Sequence, residues 1–285
     1  MSTLAGRRIE LWVEARGGAP AVNPVMVGLL EELGRAGAST AVRVPEHEVI
    51  DVDQGDRWRP DLVLLKTVAA VALAAAVADE ASGGRFLNSA GASWRSHDKA
   101  STTARLAAAG LPVPRTLLAT AGTAITSPPN GTGGWVSKPV YGVHGRAVQM
   151  HDRFPGVVGS EGDDPDRPSF VADDGVRLLQ PNVGDGPDTK VYVAGGRCFV
   201  AAKHFAPDSF TSNDIAHASL DHDEIEMVRG VGRALELACY GVDLRRHCGR
   251  MIIVDANPFP GYRGFPEAIP ALLAEIERAL VERAS

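Results

Sequence analysis

The chain has 285 residues, of which 45% are hydrophobic and 22% are charged, and its formal net charge is -6. This is the composition of an ordinary globular protein that is large enough for more than one lobe. The mildly acidic balance argues against a general nucleic-acid-binding function.

Alternating strand and helix patterns occupy the first ninety or so residues. Strands are predicted at IELWVE, STAVRV, PDLVLLKT and RFLN, and helices at NPVMVGLLEELGRAG and in the alanine-rich stretch after residue 68. This alternation predicts a small parallel sheet wrapped by helices, with ligands at the carboxyl ends of its strands. Because no GxGxxG motif follows the first strand, we do not expect a dinucleotide site there.

The middle of the chain changes from a helical to a β-rich pattern. SWRSHDKASTTARLAAAG predicts one helix, and WVSKPV, RAVQM, PSFVA and GVRLLQPNV predict strands. AGGR at 194–197 predicts a hairpin turn between two further strands. A helix at DEIEMVRGVGRALELACYG, a strand at GVDLRR and a last helix at IPALLAEIERALVER complete the pattern.

The N-terminus and the cysteines bear on the compartment. Charged residues interrupt every apolar run near the N-terminus, so we predict no secretory signal, and the apolar stretch 68–78 is too short to span a bilayer. The three cysteines lack metal-type spacing, which favours a reducing environment. We therefore expect a cytoplasmic protein without nucleic-acid or membrane partners, and leave open its assembly into a homo-oligomer.

The stretch IIVDANPFPGYRGFPEA begins as a buried strand. Asp255 and Asn257 alternate with Ala256, so both oxygen-bearing side chains point to one face, and Pro258 then breaks the strand. Two neighbouring oxygen ligands suit a hard cation such as magnesium. An Asx-type turn that closes the strand is the alternative.

A set of lysines, aspartates and one asparagine lies in or beside apolar segments of the chain. A single lysine in a strand is more often solvated at an edge than functional. As a set, these residues favour a polyanion held by ammonium groups and a divalent metal; they are Lys99, Lys138, Lys190, Lys203, Asp243, Asp255 and Asn257.

Two other segments are open to two interpretations each. In KPVYGVHGRAV, Gly142 and Gly145 let backbone amides approach phosphate oxygens, although two glycines also form ordinary turns. His144 either contacts phosphate or substrate, or is simply exposed. In AHASLDHDEIE, a capped helix start is favoured over a metal site.

Five segments, taken in order over about residues 86–265, resemble the ATP-grasp superfamily. They are NSAGASWRSHDKASTTARLAAAGLPVPRT, WVSKPVYGVHGRAV, LLQPNVGDGPDTKVYVAGG, AAKHF and GVDLRRHCGRMIIVDANPFPGYRG. The stretch from DKASTTARLAAAGLPVP through the glycine loop is similar to RimK-type glutamate ligases. DTKVYV and the turn D-x-N-x-FPGY are similar to inositol-polyphosphate kinases.

The resemblance implies a mixed α/β and α+β architecture with the ATP-grasp fold. A small N-terminal parallel-sheet domain would occupy residues 1–94, a central lobe 95–183, and a C-terminal lobe with the metal site 184–285. The nucleotide would be clasped between the two α+β lobes.

The same resemblance implies contacts to the nucleotide phosphates. Lys99 and Lys138 would reach these phosphates, and Lys138 would also approach the adenine side. The loop from Gly142 to Gly145, which includes His144, would fold over the β- and γ-phosphates.

A hinge between the lobes would bind the adenosine. The resemblance implies that Gln180 to Val183 present backbone groups to adenine, with the Val183 amide as a donor, and that Asp188 or Asp185 faces the ribose. Pro181 departs from the family pattern, where an acidic residue is common.

The resemblance implies that Lys190 and Lys203 flank the γ-phosphate as catalytic residues and that Asp243, Asp255 and Asn257 bind magnesium. Lys203 stands where many relatives have arginine, whose bidentate fork a lysine lacks. Asp255 stands where RimK-type ligases usually have glutamate and is the kinase-like choice.

The expected function is that of an ATP-dependent carboxylate–amine ligase that works through an acyl phosphate, with ATP and Mg²⁺ as cofactors. Its substrates would be a small-molecule or peptide carboxylate and an amine. A kinase acting on a small polyol or inositol phosphate, and a non-catalytic nucleotide-binding protein, are the alternatives. Candidates to line the acceptor pocket are Arg16, Asn23, Lys66, Asn88, Asn213 and Arg263.

Overall fold

A computed structural model of the protein describes residues 3–52, 59–120, 123–124, 133–141, 147–155, 175–184, 188–203 and 216–282. Three larger sheets and one short hairpin organise these residues. Within the same ranges, no helix combines the length and the apolar character needed to cross a membrane.

The first sheet is parallel, as the alternating pattern predicts. Its strands are β1 (Arg8–Val13), β4 (Ser39–Arg43), β5 (Leu62–Lys66) and β6 (Phe86–Leu87), in the order β4-β1-β5-β6. Helices α1 (Pro24–Arg35) and α2 (Ala70–Ala81) connect the strands, and β2 (Ala15–Arg16) pairs with β3 (Ala19–Pro20) beyond the end of β1. The carboxyl ends of β1 and β5 are therefore adjacent.

The helix predicted over SWRSHDKASTTARLAAAG is two helices, so the prediction of one helix is wrong. α3 (Ala90–His97) ends at Asp98, and α4 (Lys99–Ala108) begins directly after it. Asp98 has extended backbone geometry, and its carboxylate accepts from the amides of Ala100 and Ser101, at 2.8 and 2.9 Å. An aspartate side chain that accepts from the first free amides of a helix stabilises a helix start at that position. Here the new helix start at Asp98 divides the predicted helix into α3 and α4.

The second sheet is antiparallel and has the order β7-β10-β8-β9. Its strands are β7 (Leu117–Thr120), β8 (Trp135–Pro139), β9 (Gln149–His151) and β10 (Val176–Pro181). The predicted strand PSFVA lies outside the described residues.

The third sheet is also antiparallel and has the order β13-β12-β11-β14-β15. Its strands are β11 (Asp188–Ala194), β12 (Arg197–Lys203), β13 (Ala216–His217), β14 (Tyr240–His247) and β15 (Arg250–Pro258). Gly195 and Gly196 have φ values of +59° and +69°. Left-handed backbone at both central positions is what a tight hairpin requires, so the AGGR prediction is confirmed.

Two helices accompany the third sheet, α5 (His222–Leu235) and α6 (Ile269–Val281). Asp221 and Glu224 form a capping box at the start of α5: the Asp221 carboxylate accepts from the Glu224 amide, and the Glu224 carboxylate accepts from the Asp221 amide. The acidic stretch before α5 is therefore a helix cap, as the favoured interpretation of AHASLDHDEIE predicts.

One apolar core joins the first sheet to the third. Leu11 and Leu64 of the first sheet belong to the same buried cluster as Tyr192, Tyr262 and Phe265. Helix α6 also packs against α1 and β5. The turn after β15 is thereby brought to the carboxyl ends of β1 and β5. The domain boundaries at 94/95 and 183/184 stay a prediction.

Asn88 is a structural residue in this junction and not part of an acceptor pocket, which corrects its assignment as a pocket candidate. Its side chain is only 2% exposed. Its amide nitrogen donates to the carbonyl of Cys239 at 2.6 Å, and its amide oxygen accepts from the backbone amides of Ala238 and Cys239 at 2.8 and 2.9 Å. It thus satisfies the backbone just before β14.

Asn88→Ala should lower the free energy of unfolding by about 2–4 kcal/mol, because the backbone amides of Ala238 and Cys239 would lose their acceptor in a largely buried place. Urea denaturation followed by circular dichroism would measure the loss. Ser82→Ala, at an exposed hydroxyl, is the control and should cost less than about 0.5 kcal/mol. Equal stabilities for the two variants would contradict the structural role of Asn88.

Candidate functional site

Strand register in the third sheet brings three predicted site residues into one row. Lys190 of β11 lies opposite Asp243 of β14, and Asp243 lies opposite Asp255 of β15. Directly opposed residues point to the same face of a sheet. The register shifts immediately after Asp243, and such irregularities occur often beside functional sites.

The row is held by close charge contacts. The Lys190 ammonium donates to the Asp243 carboxylate at 2.6 Å. Asn257, two residues after Asp255 on the same strand, donates its amide to the Asp255 carboxylate at 3.5 Å. β15 continues as a strand to Pro258, so Asp255 and Asn257 are strand residues and not members of a turn that closes it.

Two further lysines reach Asp255 from other parts of the chain. Lys99, the first residue of α4, lies 3.2 and 3.3 Å from the two carboxylate oxygens of Asp255. Lys138 of β8 donates to the carbonyl of Val254 at 3.0 Å. Residues from α4, the second sheet and the third sheet thus converge on one point, as the sequence predicts.

The charges in this cluster shift one another's pKa values. Burial alone would raise the pKa of Asp255, but the positive charges of Lys99, Lys138 and Lys190 lower it below its ordinary value. Burial lowers the pKa of Lys138, and Lys99 adds to this effect, while Asp255 opposes it. Burial would also lower the pKa of Lys190, but the Asp243 carboxylate overrides this effect and raises it.

The described cluster therefore holds three ammonium groups against two carboxylates and has a net positive charge. Among the residues that the structure describes, no three His, Cys, Asp or Glu side chains form a metal site by themselves. Asp243, Asp255 and Asn257 offer hard oxygen donors, which suit Mg²⁺. A magnesium ion held here would require additional oxygen ligands, and phosphate oxygens and water are of that type.

Several predicted contacts fall where the side chains are not described. The glycine loop with Gly142, His144 and Gly145 lies outside the described residues, as does Asp185. For Lys203 the structure gives only the backbone, which pairs with Asp188 in the β11–β12 ladder. The roles of these residues stay predictions.

The hinge residues lie at the end of β10. The Gln180 side chain is buried and donates to the Thr116 hydroxyl at 2.8 Å, and Val183 follows in the connection to β11. The Asp188 carboxylate forms an ion pair with Arg245. The predicted contacts of Gln180, Val183 and Asp188 with adenosine stay predictions.

Arg177 is a buried charged residue that the sequence analysis does not single out. It is 1% exposed, and its guanidinium donates to the Ser137 hydroxyl at 2.8 Å and to the carbonyl of Ala147 at 2.6 Å. It therefore ties β10 to both flanks of the glycine-loop segment. An arginine inside the apolar strand VRLLQ was the available signal.

The sequence analysis also does not single out His97 and Tyr141, which lie near Lys99. Their rings lie 5.5 Å apart, and the Tyr141 hydroxyl donates to the Asp98 carboxylate at 3.3 Å. Burial, assisted by the charge of Lys99, lowers the pKa of His97 to about 4. The imidazole is therefore neutral at neutral pH and adds no further positive charge to the cluster.

A cavity of about 310 Å³ opens at a different place, beside the β12–β13 edge. It is lined by Cys198, Val200, His217, Leu220 and Phe265, among others, and includes none of the predicted site residues.

Comparison with known proteins finds matches among solved structures but not among protein families or curated sequences. No protein-family model matches the chain, and no curated protein matches it significantly. The D-cycloserine synthetase DcsG superposes with a TM-score of 0.71 at 18% identity, over 96% of this chain and 99% of its own. A RimK-domain ATP-grasp protein from Sphaerobacter thermophilus DSM 20745 superposes with a TM-score of 0.67 at 14% identity, over 96% and 100%.

The protein has an ATP-grasp fold. The ATP-grasp ligase PsnB, solved with a minimal precursor, Mg and ADP, also matches, with a TM-score of 0.58 at 17% identity over 96% of this chain and 97% of its own. The fold expected from the five sequence segments is thus confirmed. In this ATP-grasp fold, the charged row of the third sheet meets the second sheet, because Lys138 of β8 reaches the backbone of β15.

Asp255→Asn should lower the free energy of unfolding of the ligand-free protein by about 1–3 kcal/mol, because three ammonium groups would lose a shared counter-charge. Salt screens repulsion between partly exposed charges, so about 1 M NaCl should recover part of the loss. Urea denaturation in the presence of EDTA would measure both effects. Glu226→Gln, which removes a solvent-accessible i,i+3 ion pair with Arg229, is the control and should cost little stability at either salt concentration; a similar loss in both variants would contradict the shared role of Asp255.

Proposed function

We propose that the protein is an ATP-dependent carboxylate–amine ligase. The observation that carries the proposal is the convergence of Lys99, Lys138, Lys190, Asp243 and Asp255 on one point of an ATP-grasp fold. The resemblance of the glycine-loop region to RimK-type ligases supports the same reaction class, as do the matched structures of D-cycloserine synthetase DcsG and ATP-grasp ligase PsnB.

The proposed reaction has two steps. A carboxylate oxygen of the acid attacks the γ-phosphorus of ATP, and the bond from that phosphorus to the β–γ bridging oxygen breaks to release ADP. The amine nitrogen then attacks the carbonyl carbon of the acyl phosphate and loses a proton, and the C–O bond to the phosphate breaks. The products are an amide, ADP and inorganic phosphate.

The residues of the row would act by charge and position. Phosphoryl transfer needs an in-line nucleophile and compensation of negative charge more than covalent help from the protein. Lys190 and Lys203 would compensate the charge on the transferred phosphoryl group, while Lys99 and Lys138 hold the other phosphates. Asp243, Asp255 and Asn257 would hold Mg²⁺, which when bound neutralises phosphate charge.

Two lysines of the site are paired with its carboxylates, and the phosphates of a nucleotide would offer them alternative partners. Lys99 now pairs with Asp255, and Lys190 with Asp243. Lys99 also stands at the positive end of the α4 dipole, where an anion is favourable and a cation is not. A triphosphate with its cation would therefore relieve the unfavourable position of Lys99.

Kinase activity on a small polyol or inositol phosphate is the second candidate. Asp255, in place of glutamate, and the FPGY turn favour it. The same charged row would serve either reaction, because both begin with transfer of the γ-phosphoryl group.

With ATP, Mg²⁺, a panel of carboxylic acids and hydroxylamine, the protein should form a hydroxamate and release phosphate in equal amounts. Ferric-complex absorbance and a phosphate assay would measure the two products. A stable phosphorylated product without phosphate release would identify a kinase. ATP binding without turnover of any acid or polyol would identify a non-catalytic nucleotide-binding protein.

Lys190→Gln should reduce kcat by about 10²- to 10³-fold, because an ammonium aimed at the transferred group contributes a few kcal/mol to transition-state stabilisation. Steady-state kinetics with the best acid from the panel would measure it. Arg35→Gln, which removes an exposed charge at the end of α1, is the control and should retain wild-type kcat. A Lys190→Gln variant that is folded and fully active would remove Lys190 from the catalytic assignment.

A further inference from the structure

The chain contains only five lysines against 24 arginines, and four of the lysines are assigned to the nucleotide site. The fifth is Lys66, the last residue of β5. Lys66 is therefore the one lysine of the sequence outside the proposed nucleotide site. It lies at the carboxyl end of a parallel strand, where ligands of such sheets bind.

Lys66 is half-buried, and the carboxylate whose charge acts on it, that of Glu14, forms no ion pair with it. Its ammonium lies 3.5 Å from the carbonyl of Ala21, and among the described residues no carboxylate comes within ion-pair distance of it. The nearby Glu14 is occupied by the Arg16 guanidinium, at 2.8 Å. A partly desolvated ammonium that forms no ion pair is unfavourable, and at the carboxyl end of a parallel strand it indicates a site for a negative group.

The turn after β15 packs against the start of α1, beside Lys66. The Asn23 side chain caps α1 and also donates to the carbonyl of Gly261 at 2.9 Å. A Cβ on Gly261 would lie 2.3 Å from the Asn23 amide nitrogen and 3.6 Å from Cε of Lys66. Only glycine therefore allows the turn to approach the Asn23 side chain so closely, and Lys66 lies in van der Waals reach of the same position. The exposed Arg263, two residues further along the turn, acts on Lys66 through its charge.

The buried rings of Tyr192 and Tyr262 connect the charged row to the turn after β15. The Lys190 ammonium lies 5.9 Å from the centre of the Tyr192 ring, and the rings of Tyr192 and Tyr262 lie 5.6 Å apart. The charge of Arg263 contributes to lowering the pKa of Lys66, for which burial is the larger cause, and it acts on Tyr192 as well. The charge of Arg263 thus acts both on Lys66 and on the tyrosine that neighbours Lys190.

We propose that Lys66 and Arg263 bind a second anionic group of the acid substrate, separate from the carboxylate that reacts. The substrate class is then a dicarboxylic acid, or an acid with a comparable anionic group, and a neutral monocarboxylic acid is a poor substrate. This inference rests on the proposed ligase function, because it assigns the bound anionic group to the acid substrate of that reaction.

The test uses succinate, glutarate and adipate, each paired with its monoamide. The three chain lengths vary the spacing between the two carboxylates, and each monoamide keeps the shape but removes one charge. A matching series with a phosphate monoester in place of the second carboxylate separates the two sources of negative charge. Hydroxamate formation measures kcat and KM, and calorimetric titration in the presence of Mg²⁺ and a non-hydrolysable ATP analogue measures binding.

The full-length protein should prefer at least one diacid or phosphorylated acid over its neutral partner by about tenfold or more in kcat/KM. Lys66→Gln and Arg263→Gln should each reduce that preference by about tenfold, through KM for the acid and not through KM for ATP. Arg263 is exposed, so its replacement tests the site even where the Lys66 variant is unstable. Arg35→Gln, at the other end of α1, should keep the wild-type preference.

Equal kinetics for the charged and neutral acids, or a preference that survives both variants, would overturn the inference while leaving the ligase intact. The absence of hydroxamate from every acid would overturn the proposed function, and the titrations then decide the inference alone. Binding of a charged acid that is lost in Lys66→Gln and Arg263→Gln supports the anion site, and equal binding of the charged and neutral acids overturns it.

Discussion

The ion-pair row of the third sheet depends on a balance that no single element can supply. Asp255 is a partly buried carboxylate that stays charged because ammonium groups from α4, β8 and β11 surround it. Each of those lysines also loses hydration by being there, and the carboxylates Asp243 and Asp255 offset that loss. The helix α4 and the second and third sheets are therefore held together at one point by charge.

The balance between these lysines and carboxylates would change when a charged ligand binds. The free protein neutralises its lysines with its own carboxylates, so a nucleotide with a divalent cation would exchange internal ion pairs for contacts with phosphate and metal. Such an exchange requires little movement, because the partners are already on the same face of one sheet. Arg177 and the Tyr141–Asp98 contact fix the flanks of the glycine-loop segment in the same region.

The first sheet contributes packing to the site, whereas the second and third sheets contribute charged residues to it. Its core merges with that of the third sheet, and Asn88 satisfies the backbone before β14. The carboxyl ends of β1 and β5 are thereby fixed against the turn that follows β15. The proposed anion site follows from this junction: a strand end, a helix cap and a glycine turn meet at Lys66, which has no carboxylate partner among the described residues.

The sequence by itself determined the parallel N-terminal sheet, the AGGR hairpin and the α5 cap, because each depends on local periodicity or on turn and capping chemistry. It also identified the set Lys99, Lys138, Lys190, Asp243 and Asp255, since charged residues inside apolar segments are conspicuous. It did not separate α3 from α4, because the capping bonds of Asp98 compete with a continuous helical pattern. Which lysine meets which carboxylate, the burial of Arg177 and the structural role of Asn88 were decided only by the tertiary structure. These features depend on strand register and on contacts between residues far apart in the chain, and local sequence patterns encode neither.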